Sequence, residues 1–259
     1  MRAEARLITG VAVVVPAHNE EGSIGACLDG LLEAFSLVPP AIRTSIVVVL
    51  DRCDDRTAPL VHAHAAGAET LVDRRGRPLG SLRDRGARHA IARLARPAAQ
   101  TWLLHTDADS VVPRDWVRAH LRHAELGAHA VAGLTEIADW ASHDDRTRRR
   151  YERMVSELIR GDGHDHVYGA NLGVRADAYL RVGGFPPLST GEDHALWTRL
   201  NQAGCPLAKP TESPVRTSSR VRGRASGGLA DLLRSISAER SRPGDAASCR
   251  GVPGRTAGS

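Results

Sequence analysis

Two stretches of the chain, residues 11–15 (VAVVV) and 46–50 (IVVVL), are unbroken apolar runs, each followed by polar residues and then by a segment of helical period. Apolar at every position instead of every second one, they predict parallel strands buried on both faces. Residues 101–106 repeat the arrangement, end in Asp107-Ala108-Asp109, and lead through Pro113 into a helical stretch carrying Trp116, Val117 and Leu121. Weaker strand signals lie at 68–72 and 129–134, and helical periods at 22–35, 55–66, 81–95, 114–125 and 144–159. Strand and helix alternate through the first half, which predicts an α/β fold with a mainly parallel sheet flanked by helices. Ligands of such sheets sit beyond the carboxyl ends of the strands, so residues 16–21, 51–57 and 107–109 are selected on topology alone.

Past residue 134 the pattern changes. An arginine-rich helix near 146–153 gives way to a glycine-rich stretch at 161–173 and then to Gly183-Gly184-Phe185, which reads as an acceptor-side lobe without a sheet of its own. From residue 241 the chain is mostly Ser, Arg, Gly, Pro and Ala, too poor in apolar surface to offset the entropy of ordering. The expected organisation is therefore 1–127 as one half, 128–240 as the second half of the same domain, and 241–259 as a disordered tail. There is no internal repeat.

Composition adds exclusions. With 259 residues, 42% hydrophobic and 25% charged, the chain is of ordinary globular type. A chain of this size buries about 70 to 75% of its unfolded surface and needs no metal or disulfide staple to fold. No apolar run approaches the roughly 20 residues that span a bilayer, and the N-terminus lacks a signal-peptide core. Cys27, Cys53, Cys205 and Cys249 are scattered and expected as free thiols, so the cytoplasm is the expected compartment, with room for peripheral membrane contact. The formal charge is +5 and Lys209 is the only lysine, so the positive charge is arginine, whose planar fork suits phosphate and carboxylate. An arginine-codon bias in the genome would give the same count. Only two Phe, three Tyr and four Trp leave little for a base-stacking surface, which disfavours a nucleic-acid-binding protein.

The chemistry-bearing residues gather at the selected strand ends. Asp107 and Asp109 place two hard oxygen donors at one sheet edge with the small Ala108 between them, a pair suited to Mg²⁺ or Mn²⁺ that completes its shell with water and substrate phosphates. Asp51 leaves its strand where it can accept from a ribose hydroxyl or a base N–H, whereas Asp55 and Thr57 read as caps of the following helix. Residues 16–21 form a proline-stiffened turn that either presents backbone groups to a ligand or simply starts a helix.

Together, VVVPAHNEE (13–21), VVVLDRCDDRT (47–57), LLHTDADSVVPRDWV (103–117) and GANLGVRADAYLRVGGFPPLSTGEDHALWTRLNQAG (169–204) resemble, in order, the motifs of family 2 glycosyltransferases of the GT-A fold. The resemblance implies transfer of a sugar from a nucleoside-diphosphate donor to an acceptor hydroxyl, inverting in outcome and dependent on Mn²⁺ or Mg²⁺. It implies that Pro16, His18, Asn19, Glu20 and Asp51 line the nucleoside pocket, that Asp107 reaches the ribose or the metal and Asp109 holds the metal, that Glu192 belongs with the donor-binding residues, and that Asp193 beside it is the general base. The family's Ala-Arg-Asn-x-Gly is replaced by Ala87-Arg88-His89-Ala90-Ile91, which leaves Arg85 and Arg88 as candidates to face the diphosphate. The family's Gln-x-x-Arg-Trp is missing, which implies a non-processive enzyme. Residues 216–224 form a basic loop suited to the diphosphate, to an anionic acceptor, or to plain solvation. A nucleotidyltransferase would share the carboxylates but would need a glycine-rich loop that VPAHNEEGS does not supply.

Histidines carry weaker expectations. His164-Asp165-His166 lacks a zinc ligand spacing and reads as structural or acceptor-contacting, and His194 as a solvated helix residue or a third metal ligand. His62, His64, His120 and His123 are expected on exposed helix faces.

Overall fold

The computed structural model describes residues 7–161, 163–219 and 229–238. Its first half runs β1 (Gly10–Ala17), α1 (Ile24–Ser36), β2 (Arg43–Asp51), α2 (Thr57–His64), β3 (Glu69–Asp73), α3 (Leu79–Leu94), β4 (Thr101–His105), β5 (Ser110–Val111) and α4 (Trp116–Glu125). The second half runs β6 (Ala130–Ala132), β7 (Thr135–Ile137), α5 (Asp145–Ser156), β8 (Ile159–Arg160), β9 (Gly163–His164), β10 (Leu172–Arg175), α6 (Ala176–Arg181), α7 (Glu192–Gln202), β11 (Leu207–Ala208), β12 (Val215–Thr217) and α8 (Leu229–Ala238).

Seven strands form the central sheet in the order β11-β6-β10-β4-β1-β2-β3, parallel except for β10, which runs antiparallel to both of its neighbours. Every residue of β1 is buried, and its side chains divide by parity. Val11, Val13 and Val15 enter one core layer with Ile24, Leu28 and Leu31 of α1 and Trp116 of α4. Ala12 and Val14 enter the other with Leu82, Ala87 and Ala90 of α3 and with Tyr179. Two covered faces are why the run carries no alternation. The α3 layer is close: a Cβ on Gly86 would stand 2.4 Å from Val14 Cγ1 and 2.9 Å from Val49 Cγ2, so only glycine lets this helix lie so near the sheet.

The second half departs from expectation. It does hold sheet structure of its own: β6, β10 and β11 complete the central sheet, β12 and β7 join β5 in a three-stranded sheet, and β8 pairs with β9. These strands are two to four residues long, too short to show a period. His120 is also not on an exposed face. It is buried, its ring meets Trp116 edge-to-face one helical turn away, and Nε2 lies 3.0 Å from Asn171 Oδ1. Burial pushes its pKa down to about 4. Cys27, Cys53 and Cys205 are free thiols. No helix among the described residues is long and apolar enough to cross a membrane. The expected tail from residue 241, Cys249, and residues 220–224 of the basic loop lie outside the described residues.

Candidate active site

The carboxyl ends of β1, β2 and β4 open on one side of the sheet, and the loops that follow β1 and β2 are fastened to each other. The Asn19 side chain donates to Asp54 Oδ1 and accepts the Asp54 backbone N–H at 2.9 Å, with Asn19 itself in the left-handed region at φ 52°. The Glu20 N–H donates to Thr57 Oγ1 at 2.7 Å, and Asp55 accepts the N–H groups of Glu21 and Thr57. The N-cap of α2 is Arg56, without a side-chain cap bond, so Asp55 and Thr57 do not serve as the expected caps: they bind the β1 loop and each other, and these hydrogen bonds hold the Asp55 carboxyl below its ordinary pKa although burial opposes the shift. His18 Nδ1 donates to the Asp51 carbonyl at 2.6 Å, and the Asp51 carboxylate is gripped by both Nε and Nη2 of Arg52. His18, Asn19, Glu20 and Asp51 are thus gathered by the two fastened loops, with Pro16 buried at the end of β1.

At the end of β4, Ala108 turns into the core while Asp107 and Asp109 stand half-exposed on either side of it. The Ser218 N–H donates to the Asp109 carbonyl at 3.2 Å and Ser110 Oγ to Thr217 Oγ1 at 2.9 Å, so the first residues of the basic loop run beside the Asp-Ala-Asp turn.

What joins this edge to the start of α7 is Arg83, which none of the four sequence motifs singles out. Only 1% exposed, it donates from Nη2 to Asp107 Oδ1 at 2.5 Å and from Nε to Glu192 Oε1 at 3.1 Å. Its Nη1 is buried and has no hydrogen-bond partner. Burial alone would depress the guanidinium, but Asp107, Glu192 and Asp193 together hold it above its ordinary pKa. Glu192 is pushed up by burial, with Arg83 acting against the shift. The guanidinium lies over the Phe185 ring, 6.0 Å from its centroid, and His105 is fully buried edge-to-face against the same ring; burial together with Arg83 keeps its pKa well below the ordinary imidazole value. Asp193 accepts the Gly169 N–H at 2.8 Å on Oδ2 and the His194 N–H at 2.7 Å on Oδ1. A Cβ on Gly169 would come within 2.8 Å of Arg83 Nη2, so glycine is what lets this amide reach Asp193 past the arginine.

Sequence held one signal for Arg83. It shares a helical stripe with Ala87, Ala90 and Leu94, and an arginine on an apolar stripe needs a buried carboxylate partner. Arg85, two residues on, faces away from Arg83 and lies at the end of β3, donating to the Val72 carbonyl at 3.0 Å and standing 3.5 Å from Asp73. Arg88 pairs with Asp84. Neither is joined to Asp107. His164 and His166 use their ring nitrogens locally: His164 with Pro210 and the His166 N–H, His166 with Val155 and Tyr168. His194 is exposed on α7.

Residues 12–181, which span these strand ends and Arg83, match Glycosyl transferase family 2. The chain belongs to that family. Glycosyltransferase AglD of Haloferax volcanii is 27% identical over 164 residues, which are 61% of this chain and 26% of that protein. The chain thus spans about a quarter of that relative's length. Among solved structures, the mannosyltransferase PcManGT from Pyrobaculum calidifontis, in complex with GDP-Man and Mn²⁺, superposes with a TM-score of 0.61 at 21% identity, covering 85% of this chain and 60% of that one. S. aureus TarS 1–349 in complex with UDP-GlcNAc gives 0.63 at 14% identity, covering 89% and 66%. The fold is GT-A.

Proposed function

We propose that this family 2 domain is a metal-dependent, inverting, non-processive glycosyltransferase that moves a sugar from a nucleoside diphosphate to an acceptor hydroxyl. The observation that carries the reading is the Asp107–Arg83–Glu192 link, which brings the carboxylate pair of β4 and Asp193 of α7 to one site. In this reading residues 1–127 serve the donor and 128–240 the acceptor, and Pro16, His18, Asn19, Glu20 and Asp51 take the nucleoside, Arg52 releasing Asp51 to it.

The residues present fit a hard divalent cation. Asp107 and Asp109 are two half-exposed carboxylates at one strand end, hard oxygen donors of the kind such an ion combines with water and phosphate ligands. Mn²⁺ or Mg²⁺ held there would neutralise the charge that builds on the departing diphosphate. Arg83 holds Asp107 by one oxygen and leaves the other free. Asp193, oriented by the Gly169 and His194 amides, receives the acceptor hydroxyl proton as the oxygen attacks, and Glu192 anchors the start of α7 so that this carboxylate keeps its aim. The free thiols support the cytoplasm as its compartment.

The relatives with GDP-Man and UDP-GlcNAc define the first donors to try. A thermal-shift panel of GDP-, UDP-, ADP- and TDP-sugars with and without Mn²⁺ should raise the melting temperature for one base only when Mn²⁺ is present, because a ligand of the native state stabilises it by mass action. Asp109→Asn should abolish that shift and leave the unliganded melting temperature in place. A shift that is equal in the variant, or independent of Mn²⁺, defeats the metal assignment.

A further inference from the structure

Asn171 is buried and takes no part in the chemistry above, yet it closes the turn that presents Gly169 to Asp193. Every hydrogen-bonding position of its amide is filled. Oδ1 accepts from Trp116 Nε1 at 2.7 Å and His120 Nε2 at 3.0 Å, both on α4, while Nδ2 donates to the Leu134 carbonyl at 2.8 Å and the Ser213 carbonyl at 3.2 Å. Its backbone is engaged as well. The N–H donates to the Tyr168 carbonyl at 3.0 Å, closing the 3₁₀ turn Gly169–Asn171, and the carbonyl accepts the Gly133 N–H at 2.8 Å. A Cβ on Gly133 would stand 2.3 Å from Asn171 Nδ2, so glycine there is what admits the amide.

The arrangement leaves no room for a substrate. The cavity that Asn171 shares with His120, His123 and Glu212 measures about 10 Å³, space for one water at most. What the amide does instead is tie the turn to three separate parts of the chain: α4, the link between β6 and β7, and the stretch that leads into β12. Rotating the turn would break these bonds and strand buried polar groups, which is costly. The Gly169 N–H, two residues before Asn171, donates to Asp193 Oδ2 at 2.8 Å, and a carboxylate aimed by a backbone amide keeps its aim only while that amide keeps its place. We propose that Asn171 is a positioning residue for Asp193, fixing the Gly169 amide and through it the carboxylate that receives the acceptor proton. The inference rests on the general-base role proposed above.

Two measurements test it. In hydrogen exchange of the ligand-free protein, the amides of residues 169–171 should exchange about tenfold or more faster in Asn171→Ser than in the parent, beyond any change in β1 and β2. Equal exchange there overturns the proposal, because the turn is then held without the side chain. Release of nucleoside diphosphate from GDP-Man and UDP-GlcNAc with Mn²⁺, water standing in as acceptor, separates positioning from stability. Asn171→Ser should lower kcat about tenfold to 10²-fold with donor KM within about twofold, and should cost nothing further in the Asp193→Asn background. An equal loss in both backgrounds makes Asn171 purely structural and overturns the proposal. Unchanged kcat in Asp193→Asn defeats the general-base reading and the inference with it, a result read from that single variant without reference to Asn171. If Asn171→Ser fails to fold, Trp116→Phe, which deletes one donor to the amide oxygen, should show both effects with the same sign and smaller size. Where neither sugar nucleotide is turned over, exchange at 169–171 decides the anchoring by itself.

Discussion

The long-strand ends of the first half and the stretch around Glu192 in the second bring carboxylates to the same place by opposite means. In the first half the backbone does the positioning: β1, β2 and β4 are clamped on both faces, and Asp51, Asp107 and Asp109 leave them at fixed sheet positions. In the second half the strands are short, the turns are rich in glycine, and position depends on one arginine that ties Glu192 to Asp107 across the site. The first arrangement should tolerate side-chain changes one at a time. The second should fail as a unit.

The sharpest separation of the two sides is functional. Asp193→Asn should keep donor affinity within about twofold while lowering turnover by roughly 10² to 10⁴, the usual contribution of a positioned base. Single-turnover kinetics with any accepted donor measures both, and unchanged turnover would leave Asp193 only an acceptor-positioning role. Arg83→Ala should come next, costing about 3 to 5 kcal/mol in urea unfolding, because it strands Glu192 as a buried charge without a partner. Arg83→Ala with Glu192→Gln should recover part of that loss; if the double variant is less stable than Arg83→Ala alone, the two residues do not act as a pair.

A third effect follows from protonation. His120, and His105 beside it in direction, have folded pKa values below the ordinary 6.5, so the folded state binds fewer protons and the stability they contribute is present above about pH 6.5 and lost as pH falls. For His120, whose folded value is about 4, the loss is on the order of 3 kcal/mol by pH 4. Glu192 acts with the opposite sign: its raised pKa favours the fold below about 4.5, and that contribution is lost as pH rises through the folded value. Replacing His120 by Gln should flatten the urea midpoint between pH 7 and pH 5, and an unchanged slope would show that burial of this ring is not what couples folding to acid. The smallest effect belongs to the first half, where Gly86→Ala should cost about 1 to 3 kcal/mol by pressing α3 off Val14 and Val49. A neutral Gly86→Ala would mean that the helix shifts freely and that the backbone is less fixed there than its burial implies.

The same contrast decides what could be read from sequence. β1, β2 and β4 announce themselves because two covered faces demand unbroken Val, Ile and Leu, and the carboxylates that follow stand out against them. β10 and β12 carry three or four residues each and no period, so their place in the sheets emerges only from pairing with distant partners. Arg83 lay in view on a periodic helix, yet its two partners sit 24 and 109 residues away, and nothing local distinguishes it from Arg85 except the apolar stripe it shares. His120 was misplaced for the same reason, because its partner Asn171 belongs to the other half of the chain.

The fastening of the β1 loop to the β2 loop has one more consequence. With Asn19 bonded to Asp54 and the Glu20 amide to Thr57, the two loops hold each other without help from a ligand, and a nucleoside bound there as proposed would immobilise itself but not the loops. Recognition at this end is then a matter of fit more than of closure, with the ordering entropy already spent during folding.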